Sequence, residues 1–198
     1  MIRHIVQILH NLIGKRTKTD GKKNDPGLLH AADSLQAAGA AQEKSAVRVV
    51  ERRLFERIVN EYLSVGQGYG CLLVCDVDKC REINDIYGHE TGDAVLRNAA
   101  DVLCRVFGAD AYIGSLGGDV FSVWLDTAPR DSAGDIRMQV GVVNDRLLHP
   151  TGELPPVSVS VGAAFGKSDD DYRSLLKRAN QALYLVKESG RCGCEISL

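Results

Sequence analysis

A chain of 198 residues with 44% apolar content can bury one sizeable core with helix to spare, which excludes wholesale disorder and points to one domain with an N-terminal extension. Its formal charge of −2 gives no global attraction to nucleic acid or membrane, so any polyphosphate partner has to be held by local basic residues. Cysteines at 71, 75, 80, 104, 192 and 194 lie mostly in apolar runs, without the paired spacing of a zinc site or disulfide framework, and this reads as a reduced cytoplasmic protein.

Residues 1–27 read as an amphipathic helix followed by a basic linker. Ile2, Ile5, Val6, Leu9 and Leu12 recur at helical spacing, whereas His4, Gln7, His10 and Asn11 interrupt any signal-peptide core. No run reaches the ~20 apolar residues of a membrane span. The helix suits a partner helix, with an interfacial anchor of residues 1–23 on an acidic membrane as the lesser alternative. Residues 28–64 form a helical lead-in, two patterns separated by Gly39; the second places Val47, Val50, Leu54, Ile58 and Tyr62 on one stripe.

From 65 to 198 strand and helix patterns alternate. Strand 71–77 is followed by helix 91–107, strands 111–115 and 120–125, a helix near 131–148, strand 157–165, helix 171–189 and a short final strand-like "CGCEIS". The composition is that of an α/β sandwich, and the unbroken apolar run "CLLVCDV" suits a strand covered on both faces. Cys71 and Cys75 share a strand face, as do Cys192 and Cys194; buried small hydrophobes are the favoured reading over a composite metal site.

The central strand ends in Asp76-Val77-Asp78. A carboxylate there opens onto the crevice where α/β sheets bind ligands, which makes Asp76 the leading metal ligand. Asp78 reads as an N-cap for the turn of helix that follows, whose free N–H groups are alternatively a phosphate site. Gly117-Gly118 has the spacing of a two-residue hairpin turn needing positive φ at both positions, and it also permits close approach of a ligand. Asp119 follows and lies near Asp76 if the hairpin pairs beside the central strand. Two such carboxylates suit Mg²⁺ held against a triphosphate.

"DVDKCREINDIYGHETGDAVL", then "GGDVF", "VSVSVG" and "ALYLVKESGR", resemble the GGDEF domain of diguanylate cyclases in order and spacing, over residues 50–195, with 76–96 the most specific stretch. The resemblance implies a nucleotidyl-cyclase palm-like sandwich, a central sheet flanked by helices, carrying the N-terminal helical extension. It also implies a head-to-head meeting of two GTP-loaded domains, each 3′-hydroxyl attacking the other's α-phosphate to give cyclic di-GMP. Asp76, the Val77 carbonyl and Asp119 match the metal ligands, for Mg²⁺ or Mn²⁺, and Asp119 also the acid that activates the hydroxyl. Asn84 and Asp93 match the guanine contacts; their oxygens can accept from guanine N1–H and the N2 amino group, which adenine does not present. Without the resemblance, Asp93 is a favourable charge in a helix's first turn and Asn84 a turn residue. Lys187 and Arg191 match phosphate-binding positions, and Arg81 stands where the family usually has lysine. Gly117 and Gly118 line the nucleotide. The ordinary alternatives are a helix-end charge for Lys187 and a solvated Arg81.

The chain departs from the pattern at several places. Val120 replaces the motif's second acid, Ser115 its preceding arginine, Leu116 its aromatic residue and Cys80 the phenylalanine of "DxDxFK". Strand alternation turns 119 and 120 to opposite faces, so one of them matters more than the other. The family's product-inhibition pair would fall on Gly108 and Ala111, with Asp110 one position off, so such feedback is not expected. "ERRLF" is similar to the family's "NRRxF", the "DxLTGL" lead-in is replaced by "KSAVRVV", and no sensor domain fits within residues 1–45. Regulation would then act through the helices or a partner chain. Three functions follow: a GTP–Mg²⁺-binding domain of cyclic di-GMP signalling with cyclase activity weak or lost; an active cyclase working with Asp76 and Asp119; or a non-enzymatic dimerisation or scaffold module. A homodimer, through the N-terminal helices or head to head, and GTP are the expected partners, with no nucleic acid.

Overall fold

The computed structural model describes residues 49–65, 70–108, 111–126 and 128–197; the helix expected at 1–27, the first lead-in pattern and Val47 lie outside the described residues. Elements run β1 (Val50–Glu51), α1 (Arg52–Val65), β2 (Cys71–Val77), α2 (Cys80–Tyr87), α3 (His89–Phe107), β3 (Ala111–Gly117), β4 (Val120–Leu125), a 3₁₀ turn (Arg130–Ser132), α4 (Ala133–Leu148), β5 (Val159–Phe165), α5 (Tyr172–Glu188) and β6 (Cys194–Ser197). One six-stranded sheet has the order β1-β3-β4-β2-β5-β6. The outer pairs, β1 with β3 and β5 with β6, are parallel, and the inner ones antiparallel. The chain is the α/β sandwich expected from its patterning.

Alternation along β2 sorts the core into two layers. Cys71, Leu73, Cys75 and Val77 pack with Val123, Val161 and Ala163 beneath α3 and α4, which contribute Val95, Ala99, Leu103, Ile136, Val140, Val143 and Leu147. Leu72, Val74 and Asp76 face the other way, in register with Trp124, Ser122 and Val120 of β4 and with Ala164, Gly162 and Ser160 of β5. The second layer is closed by α1 and α5, through Phe55, Ile58, Val59, Leu175, Ala179 and Leu183. Burial on both faces is why β2 reads as an unbroken apolar run.

Two glycines let the second layer close. A Cβ at Gly162 would stand 2.1 Å from the Ala179 carbonyl oxygen and 2.1 Å from the Leu183 nitrogen, so α5 rests backbone to backbone on β5. One at Gly114 would stand 2.6 Å from the Phe55 ring. α5 begins with a capping box: Asp171 Oδ1 accepts from Ser174 N–H at 2.8 Å, and Ser174 Oγ accepts from Asp171 N–H at 3.1 Å.

The lead-in differs from expectation. Val50 does not sit on the helical stripe: it belongs to β1 and pairs with Gly114, while Glu51 pairs with Ser115. The helix begins at Arg52; Ile58 is buried as expected, but Phe55, Val59 and Leu63 are buried with it, while Leu54 and Tyr62 are only half-buried. Two residues are too few to show a period, so the β-pairing is invisible in the sequence. Among the described residues no helix is long and apolar enough to cross a membrane.

Candidate functional site

The carboxyl end of β2 brings several predicted residues together. Asp76 points to the α5 side, where Lys187 Nζ lies 2.7 Å from its Oδ2; the two side chains are 15% and 34% exposed. Burial pushes the Asp76 carboxyl above the usual carboxylate range; Lys187 opposes the shift, while Asp119 and Asp78 add to it. Lys187, expected on phosphate, is thus paired with the leading metal ligand. Both ends of that pair depend on tertiary packing of α5 against β2, which spacing does not report.

Asp119 is brought to the same end by the β3–β4 hairpin. The turn is one residue later than expected: Gly117 pairs with Val120, so the two-residue loop is Gly118-Asp119, and an irregularity between Ser115 and Gly117 absorbs the shift. Positive φ at both glycines holds, +111° at Gly117 and +59° at Gly118. An added Cβ at either meets nothing within 4 Å, so the conformation, not crowding, demands glycine there. Val77 N–H donates to the Asp119 carbonyl at 3.0 Å, tying the turn to β2. Val120, already in the strand, is the direct partner of Asp76. Directly opposed residues share a face, so the valine stands beside the leading carboxylate.

Asp78 is not an N-cap. Its N–H donates to the Ser158 carbonyl at 2.8 Å, extending the β2 ladder by one residue, and this turns the carboxylate inward, where it is 4% exposed. Oδ2 accepts from Ser158 Oγ and Oδ1 from Ser160 Oγ, both at 2.7 Å, and Cys192 N–H approaches Oδ2 at 3.4 Å. The cap of α2 is Lys79, in the left-handed region at φ +61°, without a side-chain capping bond. Arg191 Nε is 3.9 Å from Asp78 Oδ1, with its side chain 50% exposed. Arg81 is exposed in the first turn of α2.

Asn84 lies within α2 rather than in a turn. Its carboxamide packs on α3 at Gly92, where an added Cβ would be 1.8 Å from Asn84 Oδ1. Gly92 therefore opens the slot that seats Asn84 beside the exposed Asp93. Sequence reasoning passed over it, although an isolated glycine inside a helical pattern was the available signal. Ser158 and Ser160 were likewise missed; nothing local in "VSVSVG" marks them as partners of Asp78.

Cys80, in place of the family's phenylalanine, is 8% exposed, and burial together with Asp119, Asp76 and Asp78 pushes its thiol up to about 11. Cys75 and Cys194 both pair with Val161, on β2 and β6; burial raises the Cys71, Cys75 and Cys194 thiols, that of Cys194 to about 11, and keeps them protonated. These are packed small side chains. Among the described residues no group of three or more His, Cys, Asp and Glu side chains is arranged to hold a metal ion. What the acidic end offers is two carboxylates and the Val77 carbonyl. These are hard oxygen donors of the kind Mg²⁺ takes, and in this structure Asp76 is engaged by Lys187.

Fold and site define an α/β sandwich domain with paired carboxylates and basic side chains at the end of its central strand. The family described as "Diguanylate cyclase, GGDEF domain" matches residues 46–192. The diguanylate cyclase DosC of Escherichia coli K12 is 35% identical over 127 residues, 63% of this chain and 28% of that protein. DgcM of the same organism is 32% identical over 164 residues, 79% of this chain and 38% of that one. Among solved structures, the GGDEF domain of DgcB from Caulobacter crescentus in complex with c-di-GMP superimposes with a TM-score of 0.67 at 26% identity, covering 78% of this chain and 98% of that one. The chain belongs to the GGDEF domain family. It spans well under half the length of these two curated relatives.

Proposed function

We propose that the chain is a cytoplasmic GGDEF domain of cyclic di-GMP signalling that binds GTP with Mg²⁺ or Mn²⁺, its cyclase activity weak or lost. The observation that carries this reading is the register of β4 on β2, in which Val120 is the partner of Asp76. A carboxylate is missing from the row where cation affinity is set, while the residues for base and phosphate remain.

In this reading Asn84, seated over Gly92, and Asp93 accept from the guanine N1–H and N2 amino group. Lys187 exchanges Asp76 for phosphate oxygen, and Arg81 and Arg191 supply further positive charge. The positive φ of Gly117 and Gly118 leaves their backbone open to the nucleotide. Asp76, Asp119 and the Val77 carbonyl would hold the cation, which offsets triphosphate charge and eases loss of a proton from the 3′-hydroxyl. Asp119 takes that proton. With Asp78 occupied by serine hydroxyls, Asp76 and Asp119 would hold one ion, and the attacking hydroxyl of the second GTP, on a partner copy, would be poorly activated.

A second reading, an active cyclase relying on Asp76 and Asp119, is favoured by the Val77-to-Asp119 hydrogen bond at 3.0 Å, which tethers the turn to the central strand. One experiment separates the two: titration calorimetry with GTP and Mg²⁺ or Mn²⁺, with chromatography of the same mixtures. Binding without product, and gain of cyclic di-GMP in Val120→Glu, is the expected result. Product from the unaltered chain favours the second reading, and absence of GTP binding refutes both in favour of a scaffold.

A further inference from the structure

The turn after α5 is pinned by a carboxylate to which the nucleotide reading gives no task. Asp78 takes one serine hydroxyl on each oxygen, Ser160 on Oδ1 and Ser158 on Oδ2, at 2.7 Å. Cys192 N–H adds to Oδ2 at 3.4 Å and Arg191 Nε faces Oδ1 at 3.9 Å. An ionised carboxylate is an acceptor on both oxygens, and here both are in use. The 3.9 Å approach through Nε is looser than a bidentate fork, so Arg191 is tethered while its side chain stays half exposed.

The backbone at this place is unusual. Arg191 has φ +67° and Cys192 φ +54°, and Lys79, next to Asp78 in the chain, has φ +61°; among the described residues these are the non-glycine residues with positive φ. L residues keep such a conformation only where their surroundings fix it. The surroundings are on hand at three successive residues. Arg191 N–H donates to the Val186 carbonyl at 3.0 Å, Cys192 N–H to Asp78, and the Gly193 carbonyl accepts from Val161 N–H at 2.9 Å.

We infer that Asp78 is a positioning residue: anchored by Ser158 and Ser160, it holds the Arg191-Cys192 turn in its left-handed conformation and so aims Arg191 at the phosphates of a bound guanine nucleotide. The inference rests on the GTP reading proposed above. It divides the work of the "DVD" segment: Asp76 pairs with Lys187 and Asp78 with Arg191, so each basic side chain waits beside its own carboxylate. Only Asp76 gives its partner up completely; Asp78 keeps the turn in place throughout.

The test uses the whole chain and the variants Asp78→Asn, Ser158→Ala with Ser160→Ala, Arg191→Ala, and Asp78→Asn with Arg191→Ala. Amide hydrogen exchange without nucleotide reports the anchor, and calorimetry with Mg²⁺ and either GTP or GMP reports its use. The expected result is faster exchange by about tenfold or more, confined to 189–193 and to the Val161 amide that Gly193 holds, with β2 and the rest of β5 unchanged. GTP affinity falls about tenfold while GMP affinity moves less than about twofold, and adding Arg191→Ala to Asp78→Asn costs no further affinity, as coupled residues require. Unchanged exchange at 189–193, exchange raised across the domain, equal losses for GTP and GMP, or additive losses each overturn the inference. If Asp78→Asn fails to fold, the serine pair is judged by the same criteria. An unaltered chain that binds no GTP overturns the proposed function and the phosphate role with it, while the nucleotide-free exchange still decides for or against the anchor.

Discussion

Replacing Gly92 by alanine separates stability from recognition. The new Cβ would stand 1.8 Å from Asn84 Oδ1, whereas ordinary contact begins near 3.4 Å, so the oxygen must retreat by about 1.6 Å. Because the obstacle is the far end of a flexible, half-buried side chain, the fold absorbs the change by rotating Asn84 outward. Alanine is favoured over glycine within a helix by up to about 1 kcal/mol, which offsets lost packing, so unfolding free energy is expected to stay within about 1 kcal/mol of the original. On the guanine contact proposed above, a retreat of that size breaks the hydrogen bond from the base to Asn84, worth roughly 0.5–1.5 kcal/mol, or up to about tenfold in affinity. The preference for GTP over ATP falls by the same factor, because adenine never used that acceptor. Urea unfolding and calorimetry with both nucleotides check the pair of expectations. An unchanged GTP affinity, or destabilisation beyond about 2 kcal/mol, would refute the reasoning.

Other expectations concern the frame around the site. In Gly162→Ala the Cβ meets α5 backbone atoms at 2.1 Å, which no side-chain rotation relieves, so a loss of about 3 kcal/mol or more is expected in urea unfolding; a loss under about 1 kcal/mol contradicts the packing described. Tyr62 and Tyr112 share a 2.6 Å hydrogen bond between hydroxyls, and burial, foremost, holds both above the usual tyrosine range. Their raised folded values give stability that is complete below the unfolded value near ~10 and is lost as pH rises past it. Tyr112→Phe should cost about 1 kcal/mol at neutral pH and shrink the alkaline loss, both read from unfolding curves between neutral and alkaline pH. With iodoacetamide near neutral pH, exposed Cys192 should react well before Cys71, Cys75 and Cys80, which are buried and whose thiols are raised; peptide mass spectrometry reads the order, and early modification of Cys80 would contradict its burial.

What the sequence reveals follows from how far each feature depends on neighbours in the chain. β2 and β4 were legible to the residue, at 71–77 and 120–125, because apolar runs end abruptly at acids or glycines. The helix expected at 171–189 runs from Tyr172 to Glu188, with Asp171 as its cap. α2 was read as no more than a turn of helix after Asp78, since only Cys80 and Ile83 of its eight residues are buried and two points make no period. The bulge before Gly117 shifts the turn by one residue without any signature of its own. In the site, local sequence brought Asp76 and Asp119 to attention, but the partner of Asp76 lies 111 residues away on α5, and those of Asp78 lie 80 and 82 residues away, Ser158 just before β5 and Ser160 within it. A carboxylate looks the same in sequence whether it caps a helix or sits between two serines.

The missing side chain at Gly162 has an effect beyond packing. With helix and strand backbones in contact, no soft layer of side chains allows α5 to slide along β5, and the helix behaves as a fixed jig bolted to the sheet. The distance from the root of Lys187 to the root of Asp76 is then a constant of the scaffold, and only rotation of the lysine stem changes which oxygen it reaches. Exchanges of single side chains along this edge, Val120 foremost, can therefore retune the charge around Asp76 while its geometry stays machined in place.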